Sequence, residues 1–170
     1  MMGKILAGLI VVCALVAGAA MYWLQVYAYY DEVPAEGASV VLTPRDGGAP
    51  EALEIAEFQG IDADSSPLRY RACFTTDTTP SALDARFEPY GGAEPRVAPG
   101  WFDCFDAEEI GAGIDAGTAQ VFLSERNIAF GIDRVVAVTE DGRGYVWQEV
   151  NECGDKAYDG TPLGEDCPER

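Results

Sequence analysis

The stretch ILAGLIVVCALVAGAAMYWLQVYAYY, residues 5–30, runs for 26 residues without a charge, with Lys4 before it and Asp31 and Glu32 directly after. The hydrocarbon core of a bilayer needs about 20 apolar residues in a helix, and residues 5–24 supply them. The positive-inside tendency puts Lys4 in the cytoplasm, so everything from Asp31 onward is expected outside it. Ala17, Gly18 and Ala19 also fit the Ala-x-Ala site of a cleavable signal peptide. Against cleavage, apolar character continues past that site through Met21, Tyr22, Trp23 and Leu24. Tyr22, Trp23, Tyr27, Tyr29 and Tyr30 form the aromatic belt expected at the outer headgroup level. Residues 1–30 therefore read as a retained anchor. Cys13 follows Val12 rather than the small residue of a lipoprotein signal, and reads as a plain thiol at mid-membrane depth. Ala14 and Gly18 make a small-x-x-x-small pair that permits close helix approach, which leaves a helix-mediated oligomer open.

Outward from the anchor, residues 31–38 are rich in Pro, Gly and Glu and read as a polar stalk. Residues 39–170 then have the size of one ordinary domain with a single core. All 29 acidic residues and 10 of the 11 basic ones lie beyond residue 30, a net of −19. Such a surface repels nucleic acid and anionic headgroups. The domain also holds Cys73, Cys104, Cys153 and Cys167, an even set placed wholly in the segment assigned to an oxidising compartment. Three connectivities satisfy four cysteines. Pairing of neighbours, Cys73 with Cys104 and Cys153 with Cys167, is favoured, because the second loop is crowded with turn formers (Gly154, Asp159, Gly160, Pro162, Gly164) that a core could hardly fix. Zinc is disfavoured by the absence of Cys-x-x-Cys and of any histidine.

Local patterns divide the domain into short elements. Residues 40–42 predict a strand and 44–48 a turn; the residue types of 51–58 favour helix, while Leu53, Glu54 and Ile55 alternate like a hairpin's return strand, and strand is the reading preferred. Residues 68–74 alternate, placing Leu68, Tyr70, Ala72 and Phe74 on one face and Arg69, Arg71 and Cys73 on the other. Residues 80–87 predict a short helix. Asp106 is a helix N-cap for 107–116, with Gly117 at the left-handed C-cap position. Residues 121–123 predict one short strand, and 132–138 with 145–150 a hairpin turning at Asp141 and Gly142. The expected class is α+β, an N-terminal transmembrane helix followed by one extracytoplasmic domain with an antiparallel sheet and one or two short helices.

Several of these segments resemble an uncharacterised alphaproteobacterial family of single-span membrane proteins. The likeness lies in residues 24–30 (LQVYAYY), 61–67 (IDADSSP), 69–74 (RYRACF), 98–106 (APGWFDCFD) and 133–138 (DRVVAV), and extends over nearly the whole chain. It implies a domain of unknown function. Some relatives carry a histidine-kinase label, which a chain without histidine or a glycine-rich nucleotide motif contradicts. Relatives often have a histidine after the tryptophan that corresponds to Trp147, where this chain has Gln148.

Without histidine the chain lacks Ser-His and Cys-His nucleophile pairs, an imidazole base and histidine-ligated metals. Lys156, the only lysine outside the anchor, lies among turn residues. Carboxylate chemistry remains, and 29 carboxyls always offer a glycosidase-like pair, so their number carries little information. Asp62 and Asp64 lack the glycine and distal glutamate of a calcium loop, and read as a turn before Pro67. Arg69 and Arg71, on one predicted strand face, are the candidate anion ligands. Trp101, Phe102 and Phe105 are expected to pack beside a disulfide at Cys104. The leading expectation is a non-enzymatic, single-pass protein of the bacterial inner membrane, without cofactor or metal. Its periplasmic domain would serve as an interaction or accessory module among other envelope proteins. An anion-binding sensor and a carboxylate-dependent hydrolase of envelope polymers are the alternatives.

Overall fold

The computed structural model describes residues 2–36, 38–161, 164 and 167. Helix α1 (Met2–Trp23) continues into a π-helical turn over Leu24–Ala28. Its 22 α-helical residues rise about 33 Å, enough for a bilayer core, and none of them is buried by the rest of the chain. The helix is long and apolar enough to cross a membrane.

The domain is built on a six-stranded sheet in the order β1-β4-β5-β8-β7-β6. Its strands are β1 (Asp31–Val33), β4 (Ala56–Asp62), β5 (Arg71–Thr75), β6 (Ala119–Ala129), β7 (Ile132–Thr139) and β8 (Arg143–Val150), and every pairing is antiparallel. A second, two-stranded sheet pairs β2 (Val40–Leu42) with β3 (Glu51–Leu53). Two short helices complete the α+β domain, α2 (Pro80–Asp84) and α3 (Ala107–Ala116). Both have the caps their sequences encode. Thr79 accepts from the Ala82 N–H at the start of α2. Asp106 Oδ1 accepts from Glu108 and Glu109 N–H at 2.9 and 3.1 Å. Gly117 closes α3 at φ +74°, a conformation that side chains with a Cβ resist.

The central strands are buried on both faces, which explains their nearly unbroken apolar runs. Alternation sorts the residues into two layers. Ala72, Phe74, Phe122, Val136, Val138 and Val146 face Val40, Leu42, Leu83 and Phe87, the layer of the small sheet and α2. Cys73, Val121, Val135, Ala137, Tyr145 and Trp147 face Phe102, Phe105 and Ile110, the layer of α3 and the loop before it.

Three sequence readings are corrected. Residues 31–33, expected in a stalk, form the edge strand β1, with Asp31 opposite Asp62 and Val33 opposite Gly60. A three-residue strand with two acids has no alternation to reveal it, and Gly37 in the same stretch lies outside the described residues. The strand expected at 68–74 begins only at Arg71, because Ser66 to Leu68 turn: the Ser66 carbonyl accepts from Arg69 N–H and its hydroxyl from Leu68 N–H. The short strand expected at 121–123 runs through 11 residues. Its polar second half pairs with β7 across two register shifts, and its side chains meet partners, Glu125 with Arg134 and Arg126 with Glu88. Residues 51–58 do form strand, but as two pieces, β3 and the start of β4.

The disulfides are Cys73–Cys104 and Cys153–Cys167, spanning 31 and 14 residues. The second closes the terminal loop, in which Pro162 lies outside the described residues. Chain entropy alone gives the two about 4 and about 3 kcal/mol. Cys73 and its neighbours are also core residues, whereas much of the terminal loop is exposed. Replacing Cys73 and Cys104 with alanine is therefore expected to lower the urea midpoint more than replacing Cys153 and Cys167. A larger loss from the terminal pair would contradict this division.

Candidate functional site

Arg69 and Arg71, the sequence's candidate anion ligands, do not share a strand face. Arg71 opens β5 and is 4% exposed. Its Nε–H donates to the Arg96 carbonyl at 2.8 Å, and Nη1 donates to the carbonyls of Leu68 at 2.8 Å and Tyr70 at 2.6 Å. The guanidinium also lies over the Phe105 ring. Burial lowers its pKa to about 10, so it stays cationic at neutral pH, and its charge is spent on fixing backbone. Arg69 precedes the strand. It donates from Nη1 to the Tyr30 hydroxyl at 3.3 Å and lies over the same ring, 5.6 Å from its centroid. The two arginines thus hold two different pieces of structure and form no common clamp.

Other cations are equally committed. Arg45, Arg86, Arg96, Arg126, Arg134 and Arg143 each pair with a carboxylate. Glu149 is the buried centre of one network. Its Oε1 accepts from Trp147 Nε1 and Glu94 N–H, both at 2.7 Å, and its Oε2 accepts from Arg96 at 3.1 Å. Among the described residues no group of three His, Cys, Asp or Glu could hold a metal ion. Gln148 is buried on β8, and its Oε1 has no hydrogen-bond partner among the described residues.

What the residues do build is a junction between the N-terminal helix and the domain. The last carbonyls of a helix have no intrahelical donor. Here Trp101 Nε1–H reaches across 75 positions and donates to the Val26 carbonyl at 2.6 Å. Its ring stacks on Tyr27 with centroids 6.2 Å apart, meets Tyr30 edge-on at 6.1 Å, and leans on Phe102. Trp23 stacks on Tyr27 in turn, 5.0 Å away. The Trp101 loop is fixed from the other side: Phe102 and Phe105 enter the core, and Cys104 is bonded to Cys73 on β5. The expected packing of these aromatics beside the disulfide is present. Its extension to the helix end is new.

Beside the junction lies a groove of about 650 Å³. Glu32, Val33 and Pro34 of β1 and its exit form one wall, Trp101 to Cys104 another, and Phe58 to Ile61 of β4 the base. Gly60 permits this close layering, since a Cβ there would meet the Phe58 ring at 2.9 Å and Val33 Cβ at 3.1 Å. The walls are chiefly apolar, Glu32 and Asp103 supply negative charge, and among the described residues β1 is an edge strand without an outer neighbour. Sequence reasoning missed both features, because the cluster of five aromatics in 22–30 says nothing of which domain residue it meets.

A family model matches residues 40–168, three quarters of the chain. The chain belongs to a family of unknown function, DUF6446. The matched part of this DUF6446 protein contains the Trp101 loop and both disulfides, while the N-terminal helix and β1 precede it. Neither the curated proteins nor the solved structures contain a match.

The two arginines can be told apart by measurement. Lysine at position 71 cannot reach three carbonyls and leaves buried acceptors unpaired, so Arg71→Lys is expected to cost about 2 kcal/mol in urea unfolding. Arg69→Lys is expected to cost about 0.5 kcal/mol or less. Equal losses would mean that Arg71 is not the structural clamp described.

Proposed function

We propose that this DUF6446 protein is a single-span protein of the bacterial inner membrane. Its N-terminus is cytoplasmic, and its periplasmic domain works by binding other envelope proteins rather than by turning over a substrate. Three facts support the reading. The helix is long enough to span, is uncharged after Lys4, and is followed by a domain carrying every acid of the chain. Both disulfides lie in that domain and suit an oxidising compartment. The observation that carries the reading is the junction itself. A domain meant only to be displayed on a tether needs no contact with its anchor, whereas this one is hydrogen-bonded and stacked onto the helix end, with an apolar groove and an unpaired strand edge directly alongside. Such a surface is held at one height and one orientation relative to the bilayer. That suits recognition of a neighbour fixed in the same membrane.

The chemistry of the side chains agrees. With no histidine and Lys156 exposed in a loop, any acid-base group has to come chiefly from carboxylates. Of the buried carboxylates among the described residues, Glu149 is held through both oxygens and Asp133 through Oδ1, with Arg126 Nη1 3.8 Å from its Oδ2. The anion-sensor alternative would need the paired clamp that Arg69 and Arg71 do not form.

A photo-cross-linking residue at Asp103, on the groove rim, tests this in intact cells. Discrete protein adducts are expected there, and none from the same residue at Asp141, at the opposite end of the sheet. The Asp103 adducts should vanish when residues 5–30 are replaced by a cleaved export signal. Adducts only with lipid, or undiminished adducts from the untethered domain, would contradict the proposal.

A further inference from the structure

Tyr30, the residue before β1, joins two side chains at the end of the helix. Arg69 Nη1 donates to its hydroxyl at 3.3 Å with Cζ 5.6 Å from its ring centroid, and the Trp101 ring meets it edge-on at 6.1 Å. The apolar span ends at Leu24. Val26, whose carbonyl Trp101 bonds, and Tyr30 follow it by about 3 Å and at most about 9 Å of helix. A headgroup layer is about 5–8 Å deep on each side of the hydrocarbon core. Once the helix spans, Arg69 and Trp101 therefore stand at the height of the outer headgroups.

Arg69 differs from the other described arginines. Arg45, Arg86, Arg96, Arg126, Arg134 and Arg143 pair with carboxylates, and Arg71 is closed by three carbonyls. Among the described residues the Arg69 guanidinium meets neither kind of group, is only half-buried, and keeps donors beyond the one that reaches Tyr30. An independent signal lies beside it. Arg71 lies opposite Ile61, itself opposite Glu32 of β1, and its Nε–H holds the Arg96 carbonyl at this end of the sheet. Trp101 is tied to the helix through Val26, so residues 97–100 are strung between two fixed points next to the helix end. The Pro99 carbonyl accepts from Phe102 N–H at 2.9 Å and closes a turn with Gly100 and Trp101 at its tip. Val97 is 82% exposed, and beyond residue 30 the only other strongly exposed large hydrophobic residue among those described is Tyr158. In a domain holding all 29 acids, residues 65–74 and 95–102 contain none.

A guanidinium with free donors beside an exposed, uncharged turn matches the two layers of a bilayer interface. The guanidinium can take two oxygens of a phosphodiester, while Val97 and the Trp101 ring settle at the level below, where amphipathic rings collect. Asp31 and Glu32 are exposed directly beyond Tyr30 and repel a headgroup of net negative charge, which favours a zwitterionic one. We propose that Arg69 and the Val97–Trp101 turn seat the domain on the outer leaflet by binding the phosphate of a zwitterionic phospholipid. The inference rests on the helix spanning the membrane, as in the function proposed above, and adds a lipid contact to it.

Full-length protein in nanodiscs of phosphatidylethanolamine and phosphatidylcholine tests this in two ways. With carbon-13 in the arginine guanidinium, solid-state NMR is expected to show a Cζ signal dephased by lipid phosphorus that is lost in Arg69→Gln and at least twofold weaker in discs of phosphatidylglycerol alone. No dephasing, dephasing that survives in Arg69→Gln, or equal dephasing in phosphatidylglycerol would overturn the proposal. Saturable shifts of the Arg69 Nε–H by inorganic phosphate in neutral-detergent micelles would overturn it in favour of a soluble anion. Second, nitroxide labels on Val97→Cys and on Asp141→Cys, each in a Cys13→Ser chain, report depth through collisions with oxygen and with a water-soluble nickel chelate. The oxygen-to-nickel ratio is expected to be at least threefold higher at Val97 than at Asp141, and equal ratios would overturn the seat. A label on Cys13 itself separates the two readings: if it is buried in lipid while Val97 is in water, the seat alone fails, whereas a Cys13 label in water sinks the span as well. A photo-cross-linking residue at Val97 in cells should give lipid adducts. Discrete protein adducts there would overturn the seat in favour of a protein contact and leave the Asp103 result untouched.

Discussion

The hydrogen bond from Trp101 to the Val26 carbonyl is the contact on which the arrangement of this protein depends. The last carbonyls of a helix have no intrahelical donor, and an unpaired one in apolar surroundings costs several kcal/mol. Trp101 supplies the donor and, with Tyr27 and Tyr30, the aromatic cover. Its position is inherited from the core: Phe102 is buried, Cys104 is bonded to Cys73, and Cys73 lies on the central strand β5. Oxidation of one cysteine pair thereby connects the sheet to the helix. The chain continues from the helix into β1, so covalent and non-covalent links act at the same place.

Buried charge in the domain stabilises particular stretches of backbone. Arg71 holds the carbonyls of Leu68, Tyr70 and Arg96, while Arg96 in turn pairs with Glu149, which also accepts from Trp147 and Glu94. This network bridges β5, β8 and the irregular 94–96 segment, and each member limits where the next can sit. Exposed ion pairs such as Arg45 with Asp84 add little. The eight described arginines hold backbone or an aromatic ring or pair with carboxylates, and with 29 acidic residues against 11 basic ones a large acidic excess remains.

Legibility in the sequence followed the strength of local signals. The apolar run of residues 5–30, the Asp106 and Gly117 caps of α3, and the Asp141-Gly142 hairpin each carry their own chemistry, and each lies where the pattern puts it. β1 was hidden because Asp31 and Glu32 look like linker, although pairing with β4 makes them an edge. The far half of β6 was hidden because Glu125, Arg126 and Asn127 are polar, and their partners lie on other segments. Arg69 and Arg71 alternate correctly for a strand, yet the Ser66 turn delays the strand until Arg71. Trp101 was legible as an aromatic near a disulfide, but its partner 75 positions away was not. Long-range contacts decided every feature of the candidate site.

The claim that the domain is fixed on its helix can be measured by the distance between them. Cys13 is the free cysteine of the helix and is exposed on it, so a spin label there, with a second on Asp141→Cys at the far hairpin, reports the geometry in lipid nanodiscs. A single narrow distance distribution, broadened by Trp101→Ala, is expected from double electron–electron resonance. A distribution several nanometres broad in the otherwise unaltered chain would show a domain swinging on a hinge and contradict the account.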